Sequence, residues 1–266
     1  MGVLEGKVAI VTGASRGIGA HIARRFAQAG AAVAVAARTT EAGMSPFAGT
    51  IGETARQIRD AGGTAVAIPA DLSRPQDREH PVAEAAAQLG PADILVSNAA
   101  VTYFGLIGDF TPRQYQLMFE VQVAAPFHLA QLVIPGMRRQ GRGWILNISS
   151  GAARHPAIPP SAQRRPGGTV YGMCKAALER FSTGLAAELY ADNIAVNALS
   201  PNLVVPTPGT IFHHLTTAGD PDAEPPAVMA EAARMLCSAE PRALTGRVAY
   251  SQDLLAELRA AEPPAS

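Results

Sequence analysis

The stretch that decides the fold is "KVAIVTGASRGIGAHIARRFAQAG", residues 7–30. Residues 7–11 form a compact apolar run and read as a buried strand. Residues 18–30 carry helical periodicity and stop at Gly30. Between them lies "TGASRGIG", with glycines at positions 13, 17 and 19. Gly13 permits a tight turn, Gly17 lets backbone approach a pyrophosphate, and Gly19 allows the helix to pack closely on the strand. With Ser15, Arg16 and Ile18, this loop turns the N–H groups and positive dipole of the helix start toward phosphates. A strand–glycine turn–helix unit of this kind points to a dinucleotide site.

The same rhythm continues outward. Short apolar runs at 32–37, 64–71, 92–100, 143–150, 194–201 and 246–251 read as strands. Amphipathic segments at 51–63, 77–90 (after its proline), about 112–139, from about 169 and at 227–238 read as helices. Uninterrupted apolar strands alternating with helices predict an α/β chain with a parallel sheet covered on both faces. Right-handed crossovers make that sheet doubly wound. The length of 266 residues suits one domain covering residues 1–266. Two Pro-rich stretches, about 152–168 and 201–226, read as loops at strand ends, because strand–helix order resumes after each. The end, "AEPPAS", reads as a frayed tail from about residue 260.

Composition excludes several classes. Lys plus Arg balances Asp plus Glu at 22 against 22, so no excess charge favours nucleic acid or an anionic membrane. Only Cys174 and Cys237 are present, which leaves no disulfide framework or Cys-rich metal motif and suits a reducing compartment. "MGVLEGKVAI" lacks the apolar stretch of a signal peptide, and Gly6 breaks the myristoylation pattern. No run of about 20 apolar residues is expected to cross a bilayer. A soluble, cytoplasmic protein is the expectation.

Cofactor choice is read after the second strand. An NAD site usually places an acid there for the ribose 2′-OH. Here the strand ends "VAVAARTT". Ala37 offers no acceptor, whereas Arg38, with Thr39 beside it, supplies a planar cation suited to a 2′-phosphate. Arg16 lies within reach in sequence terms of the same phosphate. NADP(H) is the preferred cofactor, and NAD(H) the alternative if both arginines are merely solvated.

A second segment, "TVYGMCKAALERF" (169–181), sets Tyr171 and Lys175 four apart near a helix start. They share one face. Alone, the pair reads equally well as a core-edge tyrosine and a surface lysine. Together with Thr12-Gly13-x-x-x-Gly17-x-Gly19, Asp71-Leu72, Asn98-Ala99-Ala100, Asn147-Ile148-Ser149-Ser150 and Asn197 before Pro201, it resembles the short-chain dehydrogenase/reductase superfamily over roughly residues 5–251. The resemblance implies a Rossmann-like single domain, NAD(P)-dependent oxidoreduction of a small carbonyl or alcohol, and a homodimer or homotetramer.

It also implies roles. Tyr171 is the acid/base at the reacting oxygen. A phenol with pKa near 10 is a poor base at neutral pH, and Lys175 one turn away is expected to lower it. Lys175 also holds the nicotinamide ribose, and Ser150 orients the reacting oxygen. Asp71 accepts from the adenine amino group, Leu72 packs on that ring, Asn98 stabilises the central strand, and the backbone from Ala99 lines the adenosine ribose.

Four departures stand out. Gln122, in "FEVQVAAPF", occupies the position of the family's relay asparagine and is a doubtful fourth catalytic member. The usual Pro-Gly after the sixth strand is Pro201-Asn202, with Val204 facing the nicotinamide by its backbone and Thr207 one place late for the carboxamide. The insertion 153–168 carries Arg154, His155, Arg164 and Arg165, either a lure for an anionic substrate or a solvated loop. The loop 39–50 is also long. His213, His214 and Asp220 lack a ligand pattern for a metal, and Cys174 reads as inert. The Pro-rich run to Pro226 reads as a substrate lid, and Val101, Phe104, Leu203 and Phe212 hint at an apolar pocket. The expected function is an NADP-preferring ketone or secondary-alcohol oxidoreductase using Ser150, Tyr171 and Lys175. The competing readings are a dinucleotide-binding regulator that lost turnover, and a non-redox elimination or epimerisation.

Overall fold

The computed structural model describes residues 2–160 and 166–261. Strands β1 (Val8–Thr12), β2 (Ala32–Ala37), β3 (Ala65–Pro69), β4 (Ile94–Ser97), β5 (Gly143–Ile148), β6 (Ile194–Ser200) and β7 (Val248–Tyr250) form one sheet in the order β3-β2-β1-β4-β5-β6-β7. Every adjacent pair is parallel. Strand order reverses direction between β1 and β4, so a crevice opens beyond their carboxyl ends. β1, β4, β5 and β6 are buried along their whole length, as their apolar runs require in a sheet covered on both sides.

Helices α1 (Gly17–Gln28), α2 (Ile51–Asp60), α8 (Pro226–Ser238) and α9 (Ser251–Ala260) supply one layer. There Ile22, Phe26, Ile58, Met229, Leu236 and Leu254 pack on Val33, Val35 and Val96. On the other face, α3 (Glu79–Leu89), α5 (Ala125–Gln140) and α6 (Thr169–Leu189) bring Ala85, Leu129, Met137, Leu185 and Leu189 against Ile10, Leu95 and Ile145. Local signals begin these helices. Thr50 and Glu53 form a reciprocal capping box at α2. Thr111 and Gln114 do the same at α4 (Pro112–Phe119), with Pro112 in the first turn where a missing N–H is free.

Three elements differ from the sequence expectation. The stretch 112–139 is α4 and α5 joined by a π-helical turn, Glu120–Ala124. That join makes Pro112–Gln140 a continuous 29-residue helix whose most apolar 18-residue window has mean hydropathy 1.4, long and apolar enough by length and composition to cross a membrane. The expectation of no such segment is therefore corrected. Its apolar side is nevertheless occupied by the protein interior, through Met118, Val121, Leu129, Val133 and Met137. The second difference is α9, hidden in the sequence because its start abuts the last strand and only Leu254 and Leu255 mark an inward face. The third is the short helix α7 (Pro208–Phe212) within the Pro-rich lid. Of the tail, Ala260 ends α9 and Ala261 caps it, and residues from 262 lie outside the described residues, as do Arg164 and Arg165.

The π turn is tied to the loop after β3. Arg78, almost fully buried, donates from Nε to the Leu72 carbonyl (2.9 Å) and pairs through Nη2 with the Glu120 carboxylate. Removing one partner of a sheltered ion pair strands the other. Arg78→Met is expected to lower stability by about 2 kcal/mol, read as a drop in the thermal midpoint. Retention of the wild-type midpoint would mean that the pair is fully solvent-compensated.

Candidate active site

The crevice is framed first by the glycine loop. Gly13 has φ +63°, and a Cβ there would lie 2.7 Å from the Ala99 Cα. A Cβ on Gly19 would lie 2.4 Å from the Asn98 amide and 2.6 Å from the Gly13 carbonyl oxygen. Bare backbone is thus required where β1 turns into α1 against the end of β4. Thr12 and Asn98 stitch these ends together. Asn98 Nδ2 donates to the carbonyls of Thr12 (2.9 Å) and Gly13 (3.2 Å), and Thr12 Oγ1 accepts from the Asn98 N–H (3.0 Å). The Ala99 N–H reaches the same hydroxyl at 3.2 Å. Arg16 occupies the α1 N-cap without a side-chain cap, so the first-turn N–H groups of Ile18 and its neighbours remain open. A glycine cradle at the uncapped start of a 12-residue helix fits the pyrophosphate of a nicotinamide dinucleotide.

On the adenosine side the expected residues divide. Arg38 is exposed and forms no hydrogen bond or ion pair among the described residues. Arg16 is already engaged. Its guanidinium donates to Ala48 O (2.9 Å), Gly49 O (2.7 Å) and Ser45 Oγ (3.0 Å), holding the long loop after β2 over the Ser15–Arg16 backbone. Burial, then repulsion from Arg38, lowers its pKa. In this arrangement Arg38 is the open cation, while three of the five Arg16 N–H donors serve the loop after β2. The Thr39 carbonyl accepts from the Ile51 N–H at the start of α2. Asp71 closes a turn, with one carboxylate oxygen accepting from Ser73 N (3.1 Å) and Ser73 Oγ (2.7 Å) and the other left open. Leu72 is buried in the core with Ile68 and Ala70, so little of its surface remains for a ring.

Ser150, Tyr171 and Lys175 come together from two elements. Ser150 follows β5 and accepts from Ala152 N (3.2 Å), starting a turn over Gly151–Ala153. Tyr171 lies in the first turn of α6 and is hydrogen-bonded with Ser150. Gly172 makes this approach feasible, since a Cβ there would stand 2.7 Å from the Ala152 carbonyl oxygen. Sequence reasoning missed Gly172, and its signal was the glycine inside Tyr-Gly-x-x-Lys. One turn on, Lys175 is buried, with Nζ donating to Ile148 O (2.9 Å) and lying 5.6 Å from the centre of the Tyr171 ring. Burial pushes the Lys175 ammonium down to about 8, opposed by the negative potential of Cys174 and Glu179. Glu179, one further turn along, accepts from Ser149 Oγ (2.7 Å). Burial raises the Tyr171 phenol above 10, with the Ser150 hydrogen bond acting the other way. The expected lowering by Lys175 is not met, and loss of hydration sets the direction. The Cys174 thiol is pushed up to about 11, which fits an inert side chain.

Gln122 is buried within the π turn. Its amide donates to Val101 O (2.9 Å), while its Oε1 is buried without a partner. Its side chain therefore braces the loop after β4. In the Pro-rich stretch after β6, Pro201 is partly buried, and the Val204 carbonyl accepts from the Glu224 N–H. Thr207 caps α7 through Thr210 and sets its methyl 3.2 Å from where a Gly17 Cβ would be, so the lid meets the glycine loop. Rings continue this cover. Phe47 meets Phe212 (5.3 Å), His213 meets Phe104 (5.0 Å), and Phe104 meets Tyr171 (5.9 Å). Arg154 lies 3.9 Å over the Tyr250 ring, which occupies one of the cations expected to attract an anion. Among the described residues no cluster of His, Cys, Asp and Glu could hold a metal.

The model of a family described as short chain dehydrogenase matches residues 7–212. An uncharacterized oxidoreductase of Methylorubrum extorquens is 37% identical over 250 residues, 94% of this chain and 92% of that protein. The crystal structure of a metagenomic short-chain oxidoreductase in complex with NADP is 29% identical with a TM-score of 0.75, covering 93% of this chain and 98% of the other. That of the angucycline C-6 ketoreductase LanV with bound NADP is 32% identical with a TM-score of 0.78, covering 94% and 95%.

The lysine gives a pH signature. Between about 8 and its ordinary 10.5, the unfolded chain holds a proton that folded Lys175 has lost. Stability contributed at this position therefore rises with pH through that window. Above pH 10 the raised Tyr171 works in the opposite direction. Lys175→Met is expected to flatten the rise between pH 8 and 10, followed as urea midpoints at successive pH. An identical slope in the variant would mean that Lys175 stays charged throughout.

Proposed function

The chain belongs to the short-chain dehydrogenase/reductase family, and from that membership we propose that it is an NADP-preferring reductase of ketones, reversible with secondary alcohols. The carrying observation is the Tyr171 hydroxyl hydrogen-bonded with Ser150 and backed by buried Lys175. Bound nicotinamide supplies the hydride and takes it back in the reverse direction. Tyr171 gives its proton to the carbonyl oxygen as negative charge develops there. Ser150 donates its one O–H to the same oxygen while its oxygen accepts from Ala152 N. Lys175, pinned by Ile148 O, stabilises the phenolate left behind and has two further N–H donors for ribose hydroxyls.

NADP preference rests on exposed Arg38 and on Ala37, with no acceptor side chain, ending β2, and bound NADP in the two structural neighbours supports it. Asp71, through its open oxygen, and the Asn98–Ala99 backbone take the adenosine half in this reading. Exposed Phe104, Leu203, Val204 and Phe212 at the mouth favour an apolar ketone. Reduction is the favoured direction, in a cytoplasmic homodimer or homotetramer.

Two substitutions test the reading. Tyr171→Phe is expected to lower kcat by about 1,000-fold in NADPH oxidation with a ketone panel, leaving NADPH affinity nearly unchanged. Cofactor binding without turnover, unaltered by that substitution, would favour the regulator. Arg38→Ala is expected to raise KM for NADPH by about tenfold or more, while KM for NADH stays put. Equal effects on both cofactors would remove Arg38 from the 2′-phosphate.

A further inference from the structure

The lid has a neck, and the neck is locked from below. Pro201 leaves β6 and Pro226 opens α8. Near these two ends the backbone closes on itself, the Glu224 N–H donating to Val204 O at 3.0 Å. The Glu224 side chain is completely buried. Its carboxylate accepts from the Asn202 N–H (3.0 Å), from Ser251 Oγ (2.5 Å) and from Gln252 Nε2 (3.0 Å). All three donors are neutral, and two belong to the first turn of α9. Asn202 adds a bond in the other direction, its Oδ1 accepting from the Gln252 N–H at 2.8 Å. The asparagine that departs from the usual glycine thus caps α9 while its backbone binds Glu224.

The tip is held differently. Its contacts are the Thr207 methyl at Gly17, the ring edges of Phe212 on Phe47 and His213 on Phe104, and a bond between His213 and the Thr102 backbone. Phe212 is 58% exposed and Phe104 38%. Exposed ring-edge contacts open more easily than a buried carboxylate with three donors. A loop whose ends are joined at a stiff neck swings as a unit.

We propose that Glu224 is a positioning residue for the reaction: by fixing the lid's neck to α9, it sets Thr207, Phe212 and His213 over the glycine loop and Tyr171. The proposal rests on the redox reading above, but its readouts include two that need no turnover. Glu224→Gln turns an amide donor toward N–H and O–H donors and releases the neck. Expected are KM values for NADPH and ketone raised about tenfold, kcat within about threefold, and limited proteolysis within 205–223 accelerated about tenfold. NADPH titration by fluorescence is expected to weaken in parallel. A lowered thermal midpoint with unchanged KM, NADPH affinity and cleavage would overturn the proposal, since a merely structural carboxylate does only that. If Glu224→Gln does not fold, Ser251→Ala removes one donor and is expected to shift KM, affinity and cleavage in the same direction by a smaller factor. No shift in any of them would also overturn it. If no ketone is reduced, the redox reading fails, while cleavage and NADPH affinity still decide the neck.

Discussion

A buried ammonium governs the architecture at the carboxyl end of the sheet. Lys175 lies inside the protein with its nitrogen on the last carbonyl of β5. A charge so placed is tolerated only where its donors are met. That single bond therefore fixes how far α6 stands from the sheet end and at what rotation. Tyr171 is placed with it, being one turn back on the same face, and so is Ser150, two residues beyond Ile148. The remaining machinery, from the glycine loop to the lid, is arranged around a point set by one side chain reaching one carbonyl.

The electrostatics of that point carry a tension. Burial weakens the ammonium and raises the phenol, and both effects oppose an ionised tyrosine. Glu179, held by Ser149, offsets the first effect from one turn further along α6. A dry environment also strengthens each interaction that forms on the reacting oxygen. Both directions favour a protonated phenol, the form that the proposed reduction uses.

Much of this was legible in the sequence. Seven apolar runs name the strands because a doubly covered sheet admits little else, and the glycine spacing names the loop because only bare backbone fits between Ala99 and Asn98. Tyr171 and Lys175 were visible as a one-turn pair. What stayed hidden depends on partners distant in sequence. The hold of Arg16 on residues 45–49 could not be read from its place in the glycine loop. Asn202 and Glu224 look like departures or loop residues until α9 arrives beneath them, more than 25 positions later. Gln122 matches a relay amide in type, and its hold on Val101 from within the π turn could not be read from that match.

That π turn has a consequence for how the long helix can vary. One extra residue in a turn rotates the amino-terminal half by about 100° relative to the carboxy-terminal half. The stripe containing Met118 and the stripe containing Leu129 and Val133 can thus serve separate walls, the first facing Val170 and Cys174 on α6 and the second lying on the sheet. A single-codon deletion between Glu120 and Ala124 would leave composition and length almost untouched, yet would spin the amino-terminal half so that Met118 no longer faces α6. The two walls thus depend more on the residue count between them than on any one side chain along the helix.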